Sequence, residues 1–197
     1  MKNRYYMKKD IILAGVGGQG ILSIATIIGS AAVASGLYVK QAEVHGMSQR
    51  GGDVQSNLRI SDKPVASDLI ALGKADIILS VEPMESLRYL PWLSESGWLI
   101  TNVTPFVNVP NYPPIDAIMG EVNKVRQHLI IDADQVAKDL GSARVANMVI
   151  LGAAAPYLGM PIEALEQAIR ATFGRKGEEV VELNIKALRT GRDSARS

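Results

Sequence analysis

Apolar residues fall along this chain in short blocks separated by polar and glycine-rich stretches. Residues 11–14 form an apolar run that ends in glycines, which predicts a buried strand. Residues 21–35 follow, apolar and rich in small side chains, with the length of a helix and Gly36 placed to end it. Residues 37–41 predict a second strand. Residues 54–61 alternate, with Val54, Leu58 and Ile60 on one face and Gln55, Asn57 and Arg59 on the other. One dry and one wet face predict a strand that is antiparallel or at an edge. Residues 75–81, "ADIILSV", are apolar throughout and predict a central parallel strand.

Glu82 and Pro83 then open a helix, with Pro83 in its first turn and Met84, Leu87 and Leu90 at helical spacing. Residues 98–103 and 128–131 predict two more buried strands. Helices are expected over 134–140, 143–158 and 161–173, the last with Ile162, Leu165, Ile169 and Phe173 along one stripe. A final helix is expected over 178–188, followed by the polar segment "TGRDSARS", expected to fray. Strands alternating with helices predict an α/β fold: a Rossmann-like, doubly wound, mostly parallel sheet with flanking helices and one antiparallel or edge strand. The expected organisation is a loose leader over 1–7, one domain over 8–190 and a polar tail over 191–197.

Composition narrows the chemistry. The chain has 197 residues, a formal net charge of +1 and 5% aromatic residues, so neither a basic field nor a stacking platform favours nucleic acid. It has no cysteine, which removes thiolate nucleophiles, zinc–thiolate sites and cysteine-held iron–sulfur clusters. His45 and His128 are the two imidazoles, and no Asp/Glu/His cluster stands at metal-ligand spacing. The basic start "MKNRYYMKK", the apolar run 21–34 and Ala32-Val33-Ala34 have the outline of a signal peptide. Cleavage there would discard a glycine motif that makes structural sense, and the run is shorter than the about 20 residues needed to span a bilayer. A cytoplasmic protein with no membrane partner is expected.

Two polar segments carry the candidate chemistry. "GVGGQG" gives Gly15, Gly17 and Gly20 at the spacing GxGxxG, with Gly18 and Gln19 between them, after a strand and before a helix. Such a turn admits close approach of an anion, and the helix end offers free amides to it. Glu43 stands near the end of the second strand, where a ribose-binding acid could sit. A tight strand–helix turn also favours glycines with no ligand at all, so an anion or cofactor site and a purely structural turn both remain open.

The second segment, "EVHGMSQRGGDVQSNLRIS", places His45, Gly46, Ser48, Gln49, Arg50, Gly51 and Gly52 between two strands. Its glycines free the backbone, and Arg50 offers a planar fork suited to carboxylate or phosphate. This loop is expected at the strand carboxyl ends, beside the glycine turn, where open α/β sheets bind their ligands.

Together "GVGGQGILS", "VKQAEVHGMSQRGGDVQSNLRIS", "ADIILSVEPMESLRYLPWL" and "ARVANMVILGAA" resemble the gamma-type chain of 2-oxoacid:ferredoxin oxidoreductases, and "EVHGMSQRGG" resembles its indolepyruvate type. The resemblance implies oxidative decarboxylation of an aryl 2-oxoacid with coenzyme A, giving an acyl-CoA, carbon dioxide and reduced ferredoxin. It implies that thiamine diphosphate with its magnesium, and the iron–sulfur clusters, sit on a large partner chain, and that this chain binds no cofactor tightly and is an accessory subunit. It also implies that Gly15, Gly17, Gly18, Gln19 and Gly20 match the family's glycine turn, that His45, Gly46, Gln49, Arg50, Gly51 and Gly52 match its second signature, and that Asn147 matches an Asn of a later helix. The loop of the second signature is expected to face the partner's active site. Asn147 sits in an apolar helix, and bonding to a neighbouring backbone group is the expected role for it. No catalytic residue intrinsic to the chain is expected. Glu82 and Glu85 read as first-turn acids serving a helix dipole. The alternative is a stand-alone nucleotide-binding protein or NAD(P)-dependent dehydrogenase using the glycine turn. Self-association is expected if the chain is isolated from its partner.

Overall fold

The computed structural model describes residues 7–45 and 51–195, with His45 described by its backbone. Six strands form one sheet: β1 (Lys8–Val16), β2 (Tyr38–His45), β3 (Asp53–Ser61), β4 (Ala75–Ser80), β5 (Leu93–Asn102) and β6 (His128–Ile131). Their order is β2-β3-β1-β4-β5-β6. β1, β4, β5 and β6 pair in parallel, whereas β3 is antiparallel to both β1 and β2. The mostly parallel α/β sheet therefore matches the expectation, with β3 as its reversed strand.

One face of the sheet carries the main core. Ile11, Leu13, Ile77, Leu79 and Ile100 meet α1 (Ile21–Ala34), α5 (Ala146–Ala154), α6 (Ile162–Phe173) and α7 (Glu178–Ser194) there. The other face is thinner. Ile12, Ala14, Ile78 and Leu99 pack with Ile70, Tyr89 and Val122, beneath α2 (Pro83–Arg88) and α3 (Ile115–Val122). The remaining helix, α4 (Ala133–Asp139), follows β6 directly. No helix among the described residues is long and apolar enough to cross a membrane.

Several expectations need correction. β3 lies inside the sheet, and its polar face is covered. Arg59 grips the buried Asp10 with two hydrogen bonds, at 2.7 and 3.1 Å. Its other nitrogen donates to the carbonyls of Ser67 and Leu69, and Asn57 Oδ1 accepts from the Ile70 N–H at 3.1 Å. The polar side chains that suggested a wet face thus pull the segment between β3 and β4 over the strand. The helix expected over 143–158 is α5 flanked by tight 3-10 turns at Ala143–Val145 and Ala155–Tyr157. α3 was not expected from the sequence; its short apolar pattern buries Ile118 and Val122.

The largest correction concerns the polar end. α7 continues to Ser194 instead of fraying after residue 188. Its Gly191 is a contact residue: an added Cβ would lie 1.9 Å from the Val149 carbonyl oxygen. Gly152 on α5 is equally tight, its added Cβ falling 2.0 Å from the Leu188 carbonyl oxygen. The two helices therefore meet backbone to backbone, and glycine here serves packing.

Gly191→Ala is expected to destabilise the protein by about 3 kcal/mol or more, because backbone cannot retreat as a flexible side chain can. Gly120→Ala, in α3 with open space around it, is expected to be neutral or stabilising by up to about 1 kcal/mol. Thermal unfolding of both variants tests this. A larger loss for Gly120→Ala than for Gly191→Ala would refute the close helix contact.

Candidate functional site at the strand carboxyl ends

β1, β2, β4, β5 and β6 all finish at one end of the sheet, and β3 begins there, because β3 is antiparallel to β1. The glycine turn leaves β1 at this end. Gly15 has no room for a side chain: an added Cβ would fall 2.4 Å from Val81 Cγ2 and 2.8 Å from Ile21 Cδ1. Gly20 caps α1 with φ +85°, a conformation that favours glycine, and its added Cβ would lie 2.5 Å from Asn147 Nδ2. Asn147 Nδ2 donates to the Gly20 carbonyl at 3.3 Å, so this side chain does bond to a neighbouring backbone group.

The turn uses several of its own donors. Gln19 Oε1 accepts from the Val16 N–H at 2.8 Å, the Gln19 N–H donates to the Val16 carbonyl, and the Gly17 N–H donates to the Gly52 carbonyl at 2.9 Å. The N–H groups of Gly18, Gly20 and Ile21 meet no acceptor among the described residues. These are the donors that an incoming anion would find.

The bond from Gly17 to Gly52 joins the two segments singled out in the sequence. Gly51, with φ +79°, and Gly52 close the second signature and lead into Asp53 of β3, which pairs with Val16. Gly46, Ser48, Gln49 and Arg50 lie outside the described residues, as does the His45 side chain. Glu43 is placed differently from a ribose-binding acid. It pairs with Ser56 of β3, and β3 separates its strand from β1. Two strand spacings amount to about 9–10 Å. In a dinucleotide-binding turn the acid comes from the strand next to β1; here that neighbour runs the opposite way.

A cleft of about 590 Å³ opens between the glycine turn and the later helices, and Gly18, Gly20, Asp134, Arg144, Asn147 and Lys176 are among the residues lining it. Asn102, at the end of β5, fixes its floor. Its Nδ2 donates to Asp134 Oδ2 at 2.7 Å, and its Oδ1 accepts from the Ala133 N–H at 3.0 Å. Arg144 and Lys176 bring positive charge to the lining. The cleft can thus present amides and cations to an anionic group.

On the thinner side of the sheet, residues 103–112 form a loop beside the second signature. Asn108 Nδ2 donates to the Gly51 carbonyl at 2.7 Å. The fully buried Glu82 holds this loop. One carboxylate oxygen accepts from both the Phe106 N–H, at 3.2 Å, and the Tyr112 hydroxyl. Burial and the Glu82 carboxylate push the Tyr112 hydroxyl well above its ordinary pKa, so it stays a protonated donor. Sequence reading missed Asn102, Asn108 and Tyr112, and it read Glu82 only as a dipole acid. The available signal was position: Glu82 and Asn102 each stand at or just after the end of an apolar strand.

Among the described residues, no group of three or more His, Cys, Asp or Glu could hold a metal ion. The absence of cysteine means that these residues do not fit a cysteine-held iron–sulfur cluster.

Comparison with known proteins places this geometry. Residues 10–194 match the family model described as pyruvate ferredoxin/flavodoxin oxidoreductase. The chain is 40% identical over 198 residues to indolepyruvate oxidoreductase subunit IorB of Archaeoglobus fulgidus, covering 96% of each chain. It is 37% identical over 192 residues to the IorB of Methanothermobacter thermautotrophicus, covering 94% of this chain and 96% of that one. The crystal structure of a keto/oxoacid ferredoxin oxidoreductase gamma subunit from Geobacter sulfurreducens superposes with a TM-score of 0.70 at 30% identity, covering 95% of this chain and 98% of that chain. The chain belongs to the pyruvate ferredoxin/flavodoxin oxidoreductase family, as a gamma-type chain related to indolepyruvate oxidoreductase subunit IorB.

Proposed function

We propose that this chain is the accessory subunit of a 2-oxoacid:ferredoxin oxidoreductase that acts on indolepyruvate or another aryl 2-oxoacid. The observation that carries this reading is the full-length similarity to IorB, in a chain with no cysteine to hold the redox clusters. Thiamine diphosphate, magnesium and the iron–sulfur clusters then belong to the large partner chain, which passes electrons to ferredoxin. The contribution of this chain is shape and charge at the partner's active site, supplied by the rim at the strand carboxyl ends.

Within that reading the glycine turn, Gly15, Gly17, Gly18, Gln19 and Gly20, accepts an anionic group through the free amides at the start of α1. An amide cluster at a helix start favours negative charge. The second signature, His45 to Gly52, faces the partner's cofactor pocket. Its Arg50 pairs with a partner carboxylate or with an anionic group of substrate or coenzyme A. The link between Gly17 and Gly52 supports treating the two segments as one rim.

Co-expression with the large chain and purification of the complex test the proposal. The accessory chain alone is expected to oxidise no 2-oxoacid, whereas the complex reduces ferredoxin or a viologen dye with indolepyruvate and coenzyme A. Turnover by this chain alone would contradict the reading. In the complex, Arg50→Ala is expected to lower turnover about tenfold or more, since a charge-assisted hydrogen bond is worth about 1.5–3 kcal/mol. The free chain should lose no more than about 0.5 kcal/mol of stability. Arg50→Lys keeps the charge and loses the planar fork, so failure of Lys to restore turnover would show that bidentate geometry is needed. A large loss of Tm with unchanged turnover would assign Arg50 to an internal ion pair instead.

A further inference from the structure

Glu82 is a costly residue to place where it is. It is completely buried, and no cation pairs with it among the described residues. A carboxylate in that position is tolerated only when hydrogen-bond donors replace its lost water. Glu82 receives three. One oxygen accepts from the Glu85 N–H at 2.8 Å and caps α2. The other accepts from the Phe106 N–H and the Tyr112 hydroxyl. Capping alone does not explain a glutamate, because the shorter aspartate is among the preferred residues at a helix N-cap. The extra methylene is what lets one carboxylate serve both the helix and the loop.

That loop has little else to hold it. Pro105 and Pro110 within it, and Pro113 and Pro114 after it, contribute no N–H. Among the described residues its backbone donates from Val103 to Ile131 at its root and from Tyr112 to Val109 within itself. Phe106, Val107 and Val109 are exposed, at 41%, 69% and 37%, so burial of these side chains does not fix the loop. Yet its Asn108 supplies the side-chain bond to Gly51, and Gly52 in turn accepts from Gly17 of the glycine turn.

We propose that Glu82 is a positioning residue for the rim. It holds residues 103–112, the loop presents Asn108, Asn108 fixes Gly51, and the fixed Gly51 and Gly52 set the glycine turn. Glu82 acts on the turn through these intermediates and touches neither substrate nor cofactor. The inference takes from the proposed function only that this rim serves the partner's reaction.

Amide hydrogen exchange measured residue by residue on the full chain tests the relay, using Glu82→Asp and Asn108→Ala. In Glu82→Asp the Glu85 amide is expected to keep its protection, because Asp still caps α2. The Phe106 and Gly17 amides are expected to exchange at least about tenfold faster, as when a local hydrogen bond opens. In Asn108→Ala only the Gly17 amide and the Gly51 region are expected to loosen, with Phe106 unchanged. If Glu82→Asp releases Phe106 while Gly17 keeps its protection, the relay does not exist. Asn108→Ala, which removes a loop side chain from no core, keeps the test decisive if Glu82→Asp fails to fold.

The functional arm uses the complex with the large chain. Asn108→Ala is expected to lower kcat per assembled complex about fivefold or more, while KM for the 2-oxoacid stays within about twofold. A merely structural residue would instead lower the amount of complex and leave kcat per complex unchanged, and that result would overturn the proposal. A wild-type complex with no turnover would refute the proposed function, and the exchange measurement would still decide the relay.

Discussion

β3 is seated between β1 and β2 and runs against both. Its pairing with β1 is uninterrupted from Lys8 opposite Ser61 to Val16 opposite Asp53. A slip by one residue would turn every side chain of β3 to the wrong face. The register is held at one end by the buried Asp10 and Arg59, which stand opposite each other in it. At the other end the Gly17 N–H donates to the Gly52 carbonyl. This seating carries the end of the second signature back to the start of α1. With β2 in that position instead, Glu43 would lie on the strand next to the glycine turn, and the arrangement would be that of a dinucleotide site.

The rim then follows from close packing. Gly15 lets Val81 and Ile21 crowd the turn, and Gly20 admits Asn147. Asn102 ties the ends of β5 and α4 together under the cleft. Behind this, Gly152 and Gly191 let α5 and α7 approach backbone to backbone. On the thinner face a single buried carboxylate holds a proline-rich loop against Gly51 through Asn108. A chain without redox groups can contribute to a redox reaction in this way, by fixing polar groups where a partner needs them.

Much of this could be read from residue patterns. The apolar run at 75–81 announced a central parallel strand, the alternation at 54–61 announced a strand that is antiparallel or at an edge, and the run at 128–131 announced a strand but not its half-exposed place at the sheet edge. The glycine turn was visible because its chemistry is local and its spacing short. Long-range partners were not visible. The polar face of β3 looked wet because nothing in "QSNLR" shows that a later segment folds over it. The end of α7 looked frayed because Thr190 and Gly191 resemble a helix stop, while the reason for Gly191 lies on another helix. Glu82 looked like a dipole acid because its contacts with Phe106 and Tyr112 cross from one strand end to a distant loop. Each of these depends on contacts between segments that sequence spacing does not encode.

In the proposed complex the strand carboxyl ends form one face presented to the large partner chain. Hydrogen exchange of this chain, free and bound to that partner, decides whether they do. Protection on binding is expected at the amides of residues 15–20, 51–52 and 103–112, with the outer faces of α6 and α7 unchanged. Protection confined to α6, α7 and the amino ends of the strands, with the rim exchanging as in the free chain, would contradict it.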